Sequence, residues 1–305
     1  MKNSHFISIK NFSKKQIEYI LKTAEKMEDI IHSGTDIAKN KILGSLFYEP
    51  STRTQMSFSS AMYRLGGNVI GFSDPKTSSK TKGENLTDTI RCVSNYCDII
   101  VIRHPLEGAD MLAAENSPVP IISAGCGTKE HPTQALLDLL TIKKEYKDIN
   151  GLNIGILGDL KYGRTVKSLT YALSQYDCDL NFISPPSLKM NKEVLNYLNE
   201  KNIQYKEFKD VMDVINDLDV LYVTRIQKER FPDPTEYLKL KGSYKIDLST
   251  IKNVKESFII MHPLPRLDEI AYEVDNTKHA KYFKQPYYGL LVRMALISLI
   301  LGLIE

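Results

Sequence analysis

The chain has 305 residues, of which 42% are hydrophobic and 25% are charged. This length and composition are typical of a globular enzyme with two domains, each with its own core. The formal net charge is only +3, and the basic residues are mixed with acidic ones along the chain. No basic stripe is interleaved with aromatic residues, which argues against a nucleic-acid-binding protein.

The sequence also argues against a membrane protein and a zinc protein. Its N-terminus lacks the pattern of a signal peptide. Its most apolar stretch, Gly289–Ile304, carries Arg293 and is short for a bilayer span, so we predict a buried C-terminal helix there. The four cysteines, Cys92, Cys97, Cys126 and Cys178, form neither a CxxC pair nor a His-rich cluster. We therefore expect reduced thiols, no bound metal and a cytoplasmic location.

The first half of the chain alternates predicted helices and strands. Ser13 and Gln16 have the spacing of a capping box at the start of an amphipathic helix that runs to Ile31. Apolar runs then predict four strands, at Ile42–Phe47, Asn68–Phe72, Asp98–Arg103 and Val119–Ser123, and helices near Gln55–Leu65 and Glu84–Cys97.

A second alternating set follows in the other half of the chain. Its predicted strands are Leu152–Leu157, Leu180–Ser184, Asp219–Thr224 and Phe258–Met261, and its predicted helices lie near Thr165–Gln175, Lys192–Glu200 and Asp210–Asn216. Such alternation is typical of parallel sheets that carry helices on both faces. We predict an α/β protein with two doubly wound parallel-sheet domains, joined by a helix at His131–Tyr146.

A run of hydroxyl side chains and an arginine follows the first predicted strand. Ser51, Thr52, Arg53 and Thr54 stand between this strand and the start of the next helix. Backbone N–H groups at a helix N-terminus bind anions, hydroxyls donate to phosphate oxygens, and a guanidinium binds two of them at once. Ser and Thr are also common N-caps, so this run alone leaves both interpretations open.

The positions of the arginines favour ligand binding at the ends of strands. The chain has nine arginines, and five of them lie at the end of a strand-like run or in the loop after it: Arg53, Arg103, Arg164, Arg225 and Arg266. In open α/β sheets, ligands bind at this edge.

Six motifs match one enzyme family in order and spacing. Phe47–Thr54, Arg103–Pro105 and His131–Gln134 resemble the carbamoyl-phosphate motifs of the aspartate and ornithine carbamoyltransferases. Gly158–Thr165, Thr224–Arg230 and His262–Arg266 resemble the aspartate branch, and Pro263 stands where the ornithine branch carries Cys. The resemblance extends along nearly the whole chain.

The resemblance implies a fold, a reaction and an assembly. Residues 1–133 and 288–305 are expected to form a carbamoyl-phosphate domain, to which the C-terminal helix returns, and residues 134–287 an aspartate domain. The expected reaction transfers the carbamoyl group of carbamoyl phosphate to the α-amino group of L-aspartate, in de novo pyrimidine (UMP) biosynthesis. The resemblance implies no cofactor and a homotrimer with shared active sites. His104–Gly108 resembles the version in family members that assemble with a regulatory chain, which keeps such a partner open.

The resemblance also implies which residues bind substrate. Those for carbamoyl phosphate are Ser51, Thr52, Arg53, Thr54, Arg103, His131, Gln134, the backbone carbonyls of Leu264 and Pro265, and Ser78 and Lys82 from a neighbouring subunit. Arg53, Thr54, Arg103 and His131 are the implied catalytic residues among them. The aspartate carboxylates are expected to bind Lys82, Arg164, Arg225 and Gln227.

Three alternatives are weighed against this interpretation. An ornithine carbamoyltransferase is disfavoured by Pro263 and by a site too cationic for ornithine. A nucleotide-binding dehydrogenase is disfavoured because the glycines after the strand at 152–157 do not have the GxGxxG spacing. A catalytically silent scaffold is disfavoured because each implied ligand residue is present. Gln55, Ser123 and Cys126 depart from the family's usual residues, and their effect on carbamoyl-phosphate affinity stays open.

Overall fold

The computed structural model describes residues 1–74, 79–226 and 244–304. The chain divides into two compact units. Unit 1 comprises Met1–Leu140 and Pro286–Glu305, and unit 2 comprises Thr141–Gln285. The boundaries therefore lie seven residues after and two residues before the positions expected from the sequence (140 against 133, and 285 against 287).

Unit 1 is built on a four-stranded parallel sheet. Its strands are β1 (Ile42–Phe47), β2 (Asn68–Phe72), β3 (Ile99–His104) and β4 (Ile121–Cys126), in the order β2-β1-β3-β4. Its helices are α1 (Lys14–Lys26), α2 (Thr52–Arg64), α3 (Leu86–Val93), α4 (Ala109–Asn116) and the start of α5 (Pro132–Tyr146). The inner strand β3 begins with four apolar residues that are fully buried, as expected for a parallel strand covered on both faces.

Unit 2 is built on a five-stranded parallel sheet. Its strands are β5 (Asn153–Leu157), β6 (Asp179–Ile183), β7 (Tyr205–Phe208), β8 (Val220–Val223) and β9 (Ile259–Met261), in the order β7-β6-β5-β8-β9. Its helices are α6 (Arg164–Leu173) and α7 (Lys192–Glu200). Two parallel sheets with alternating helices confirm the predicted α/β fold class.

The C-terminal helix α8 (Gln285–Leu301) packs into unit 1, as predicted. Its residues from Leu291 to Ile300 are buried, and Arg293 is among them. In the parts of the chain that the structure describes, no helix is long and apolar enough to cross a membrane.

Some predicted elements differ from the observed ones. The first helix has the predicted capping box at Ser13 but ends at Lys26, and a short 3-10 turn follows it. Asp210–Asn216 forms two 3-10 turns instead of a helix. Strand β7 was missed because it is a short edge strand with polar residues, and α4 was missed because its apolar residues have little helical periodicity.

Candidate active site

In unit 1, most of the predicted site residues lie at the carboxyl ends of three neighbouring strands. Ser51 follows β1, Arg103 lies near the end of β3, and His131 follows β4. Strand β3 pairs with β1 on one side and with β4 on the other, all in parallel. These residues therefore share one edge of the sheet, which is the ligand-binding edge of this fold.

The Arg103 guanidinium joins two of these strand ends. Its Nη1 donates to Ser51 Oγ at 3.1 Å, and its Nε donates to Glu49 Oε2 at 3.1 Å. The Glu49 carboxylate thereby orients the guanidinium at the end of β3. Two residues that are 52 positions apart in the sequence thus form one cationic, hydroxyl-bearing site.

The start of α2 has the features of an anion site. Ser51 is the N-cap residue of α2, but its side chain makes no capping hydrogen bond to the helix. The first turn carries no acidic residue, Thr54 is buried, and Thr52 and Arg53 are exposed. An anion at this position would therefore meet the N–H groups of the first turn and the positive end of the helix dipole. The charges of Arg53 and Arg103 add to this positive potential.

The start of α5 supplies His131 and Gln134. His131 is buried, and its carbonyl accepts the N–H groups of Gln134 at 3.0 Å and Ala135 at 3.3 Å. The Gln134 side chain is also buried, and its Nε2 donates to Asp138 Oδ1 at 3.0 Å. The hydrogen bond to Asp138 thus orients the Gln134 side chain in the first turn of α5.

One further predicted residue and one departure lie in the described part of unit 1. Lys82 ends the 3-10 helix Ser79–Lys82 and is exposed, and no hydrogen bond joins it to Ser51 or Arg103. Ser78 lies outside the described residues. Ser123, one of the departures, donates its Oγ to Asp110 Oδ2 at 2.6 Å and is fully buried.

Unit 2 has a corresponding arrangement at the carboxyl ends of β5, β8 and β9. Arg164 is the first residue of α6, after β5, and the half-buried Arg225 follows β8. The segment that contains Leu264 and Pro265 follows β9. Because β8 lies between β5 and β9 in the sheet, these residues share one edge. Gln227 lies outside the described residues.

The connection from β5 to α6 depends on Gly158 and Asp159. Gly158 has φ +121°, and a Cβ there would lie 2.3 Å from the carbonyl oxygen of Thr224. Only glycine permits this approach. The Asp159 N–H donates to Thr224 Oγ1 at 3.2 Å, and Asp159 Oδ1 accepts the Tyr162 N–H at 2.9 Å. This turn places Arg164 at the N-terminus of α6.

The segment after β9 is held by a buried His–Glu pair. His262 Nδ1 accepts the Leu264 N–H at 2.8 Å, so its Nε2 carries the proton and donates to Glu269 Oε1 at 2.7 Å. Glu269 Oε2 accepts the Leu267 N–H at 3.1 Å. Burial lowers the pKa of His262, and the charge of Arg225 acts in the same direction. The imidazole is therefore neutral at neutral pH and fixes the backbone around Leu264.

We expect this histidine to contribute to the pH dependence of stability. Its ordinary pKa is 6.5 and the folded value is lower, so the unfolded chain binds the proton first as the pH falls. The stabilising contribution is complete above pH 6.5 and is lost as the pH falls below it. His262→Gln should flatten the decrease in Tm between about pH 8 and about pH 5, whereas the exposed His32→Gln should not. The same slope in both variants would contradict this assignment.

The Arg266 side chain contacts other side chains of unit 2. Its Nη1 and Nη2 donate to the two carboxylate oxygens of Asp275, and Nη1 also donates to the Tyr282 hydroxyl at 3.1 Å. The ring of Tyr272 lies 4.8 Å from the guanidinium carbon. These contacts indicate a structural role for Arg266 in bracing the segment after β9.

Sequence reasoning missed Asp138 and Glu269. Asp138 stands four residues after Gln134, so its helical spacing could have identified it as a neighbour. No sequence pattern links Glu269 to His262, because the segment between them is irregular. In the described part of the chain, no cluster of three His, Cys, Asp or Glu side chains is placed to hold a metal ion.

Comparisons with known proteins agree with this geometry. Residues 4–144 match the carbamoyl-P binding domain model of the aspartate/ornithine carbamoyltransferases, and residues 150–300 match the corresponding Asp/Orn binding domain model. The aspartate carbamoyltransferase catalytic subunit of Thermococcus kodakarensis is 56% identical over 99% of this chain and 98% of its own length.

Solved structures show the same similarity. The catalytic subunit of M. jannaschii aspartate transcarbamoylase superposes with a TM-score of 0.91 at 53% identity, and the match covers 98% of each chain. The Trypanosoma cruzi aspartate transcarbamoylase in complex with carbamoyl phosphate and aspartate superposes with a TM-score of 0.94 at 38% identity, over 98% of this chain and 97% of that one. With both family models matched in sequence and the fold shared along the chain, this protein belongs to the aspartate/ornithine carbamoyltransferase family.

Proposed function

We propose that this chain transfers the carbamoyl group of carbamoyl phosphate to the α-amino group of L-aspartate, with N-carbamoyl-L-aspartate and phosphate as products. Its similarity to aspartate carbamoyltransferase catalytic subunits over nearly its full length supports this activity. The structural observation that carries it is the contact between Arg103 and Ser51 at the start of α2, because it joins a guanidinium to a helix N-terminus as a phosphate site requires.

Unit 1 is the proposed carbamoyl-phosphate domain. Ser51, Thr52, Arg53 and Thr54 bind the phosphate at the start of α2. Arg103 reaches both the phosphate and the carbonyl oxygen, and Thr54 and His131 also act on that oxygen. The Gln134 amide binds the carbamoyl NH₂ group. The contacts with carbamoyl phosphate that the resemblance assigns to Ser78, Lys82 and the carbonyls of Leu264 and Pro265 stay predictions.

The chemistry is an acyl transfer. The aspartate amine attacks the carbonyl carbon, a C–N bond forms, the C–O bond to phosphate breaks, and the departing phosphate accepts the proton that the amine loses. Negative charge grows on the carbonyl oxygen in the transition state. Donors aimed at that oxygen in advance lower the barrier by roughly 3–4 kcal/mol each, which is the contribution that we assign to Thr54, Arg103 and His131.

Unit 2 is the proposed aspartate domain. Arg164 at the start of α6 binds the α-carboxylate, and Arg225 after β8 binds the side-chain carboxylate, with Gln227 as a further predicted ligand. Each guanidinium matches the two oxygens of one carboxylate. Ornithine carries a side-chain ammonium group, which Arg225 would repel, so the ornithine branch is not favoured.

The assembly, pathway and location are also proposals. We infer a homotrimer, because the resemblance places Ser78 and Lys82 in the active site of a neighbouring subunit. The exposed position of Lys82 is compatible with this role. The same resemblance supports a place in de novo pyrimidine biosynthesis and a cytoplasmic location. It also keeps a regulatory chain open as a partner. The mass of the purified chain in solution distinguishes a trimer from a monomer.

An assay with purified protein tests the activity. We expect phosphate release from carbamoyl phosphate that depends on L-aspartate, with N-carbamoyl-L-aspartate formed in equal amount. L-Ornithine should not replace L-aspartate. Turnover with L-ornithine and none with L-aspartate would assign the chain to the other branch, and no turnover with either would indicate a silent scaffold.

A further inference from the structure

Asp138 is a fully buried carboxylate beside the proposed carbamoyl-phosphate site. It lies one turn after Gln134 on α5, and it accepts the Gln134 Nε2 hydrogen bond at 3.0 Å. Only 8% of Gln134 is exposed, so few other groups compete for this amide. The proposed mechanism uses Gln134 but does not explain why a charged acceptor is buried behind it.

The hydrogen bond to Asp138 determines the orientation of the Gln134 amide. A carboxylate only accepts hydrogen bonds, so it selects the NH₂ end of the amide. The carbonyl oxygen, Oε1, is then directed away from Asp138. Gln134 therefore offers an acceptor to a ligand, which suits a ligand that carries an NH₂ group and not one that carries a methyl group.

Arg293 compensates the buried charge of Asp138. It lies on α8, and its side chain is also buried. Burial lowers the pKa of Arg293 to about 10, while the charge of Asp138 acts to raise it. The guanidinium thus keeps its charge at neutral pH. A cationic group near a buried carboxylate offsets part of the cost of burying that carboxylate.

Helix α2 holds Arg293 in place. Arg293 Nη1 donates to Ser57 Oγ at 3.0 Å, and the guanidinium carbon lies 5.1 Å from the ring centre of Phe58. Gly289 leaves room for the guanidinium, since a Cβ there would lie 2.6 Å from Arg293 Nη1. Ser57 comes one turn after Thr54, so the guanidinium connects α2, which carries the phosphate residues, with α5, which carries Gln134.

We propose that Asp138 and Arg293 are positioning residues that make the site select a carbamoyl group. They hold the Gln134 amide with its oxygen towards the NH₂ group of carbamoyl phosphate, and neither contacts the substrate itself. This inference rests on the proposed function, because it takes carbamoyl phosphate as the ligand.

Three ligands separate this role from a general structural one. Carbamoyl phosphate, acetyl phosphate and inorganic phosphate share the phosphate, but only the first has the NH₂ group. We expect Asp138→Asn to weaken carbamoyl-phosphate binding by about tenfold in calorimetry, the size of one buried hydrogen bond (~1.4 kcal/mol). The affinities for acetyl phosphate and inorganic phosphate should change by less than about threefold.

A double-mutant cycle tests whether Asp138 acts through Gln134. Gln134→Ala alone should cause the same selective loss of carbamoyl-phosphate affinity. Addition of Asp138→Asn to Gln134→Ala should then cause no further loss. Asp110→Asn is the matched control, because Asp110 is also a buried carboxylate of unit 1 that is hydrogen-bonded to a neutral side chain, Ser123. It should leave the preference for carbamoyl phosphate unchanged.

Defined outcomes overturn the proposal. If Asp138→Asn retains the wild-type preference for carbamoyl phosphate over acetyl phosphate, Asp138 does not position Gln134. The same conclusion holds if the substitution weakens the binding of all three ligands equally. If Asp138→Asn does not fold, Gly289→Ala decides, because it displaces the guanidinium without removal of a charge and should reduce the same preference. Failure of the wild-type protein to bind carbamoyl phosphate would instead refute the proposed function.

Discussion

Arg53→Ala is expected to lower kcat/KM for carbamoyl transfer by about a hundredfold to a thousandfold, or ~2.7–4 kcal/mol of transition-state stabilisation. Arg53 lies in the first turn of α2, where the helix N-terminus and Arg103 already favour an anion. In the proposed mechanism, its guanidinium stabilises the phosphate as negative charge moves onto the leaving group. Steady-state kinetics with both substrates varied gives this quantity directly.

The control for Arg53→Ala is another arginine of unit 1. Arg91 lies on α3, is exposed, and donates to Asn116 Oδ1 at 3.1 Å. Arg91→Ala should change kcat/KM by less than about threefold, since it removes the same charge from a surface position. A decrease in kcat/KM of less than about tenfold (~1.4 kcal/mol) for Arg53→Ala would show that Arg53 does not bind the phosphate.

Arg225→Ala is expected to raise the KM for L-aspartate by about tenfold to a hundredfold. The substitution removes a charge-assisted bond to the side-chain carboxylate, for which ~1.5–3 kcal/mol is typical. Carbamoyl-phosphate binding in the absence of aspartate should change little, because Ser51–Thr54 belong to unit 1 and Arg225 to unit 2. Aspartate kinetics and calorimetry with carbamoyl phosphate measure the two effects separately.

Two further variants sharpen this test. Arg225→Lys keeps the charge but loses the bidentate geometry, so its KM should lie between those of the wild type and Arg225→Ala. Lys245→Ala removes an exposed charge from unit 2 and should leave the KM near the wild-type value. Loss of carbamoyl-phosphate binding in Arg225→Ala, with an aspartate KM near the wild type, would contradict the assignment of one substrate to each unit.

The strands other than β7 could be predicted well because each contains a short apolar run. β1 and β2 have the predicted bounds, and the other predicted strands differ from the observed ones by one to three residues at their ends. Buried parallel strands give this strong signal because both of their faces are covered. The edge strand β7 lacks it, since Lys206 and Glu207 are exposed.

The substrate motifs were readable in the sequence for a related reason. The residues proposed to bind ligands at strand ends form short runs next to a regular element, such as Ser51–Thr54 at the start of α2. Such runs keep their order and spacing, so the family resemblance could be found from the sequence alone. Partners of these residues that lie far along the chain leave no such run.

The sequence by itself determined the α/β class, the two sets of strands and the residues that we propose for the substrate sites. Tertiary structure decided which side chains contact each other in the two units: Glu49 with Arg103, Glu269 with His262, and Ser57 with Arg293. Periodicity and motif spacing are local properties of the chain, whereas contacts between buried side chains depend on which helices pack together. In the sequence, Arg293 is a single charged residue in an apolar helix. Only the packing of α8 against α2 shows that its guanidinium donates to Ser57.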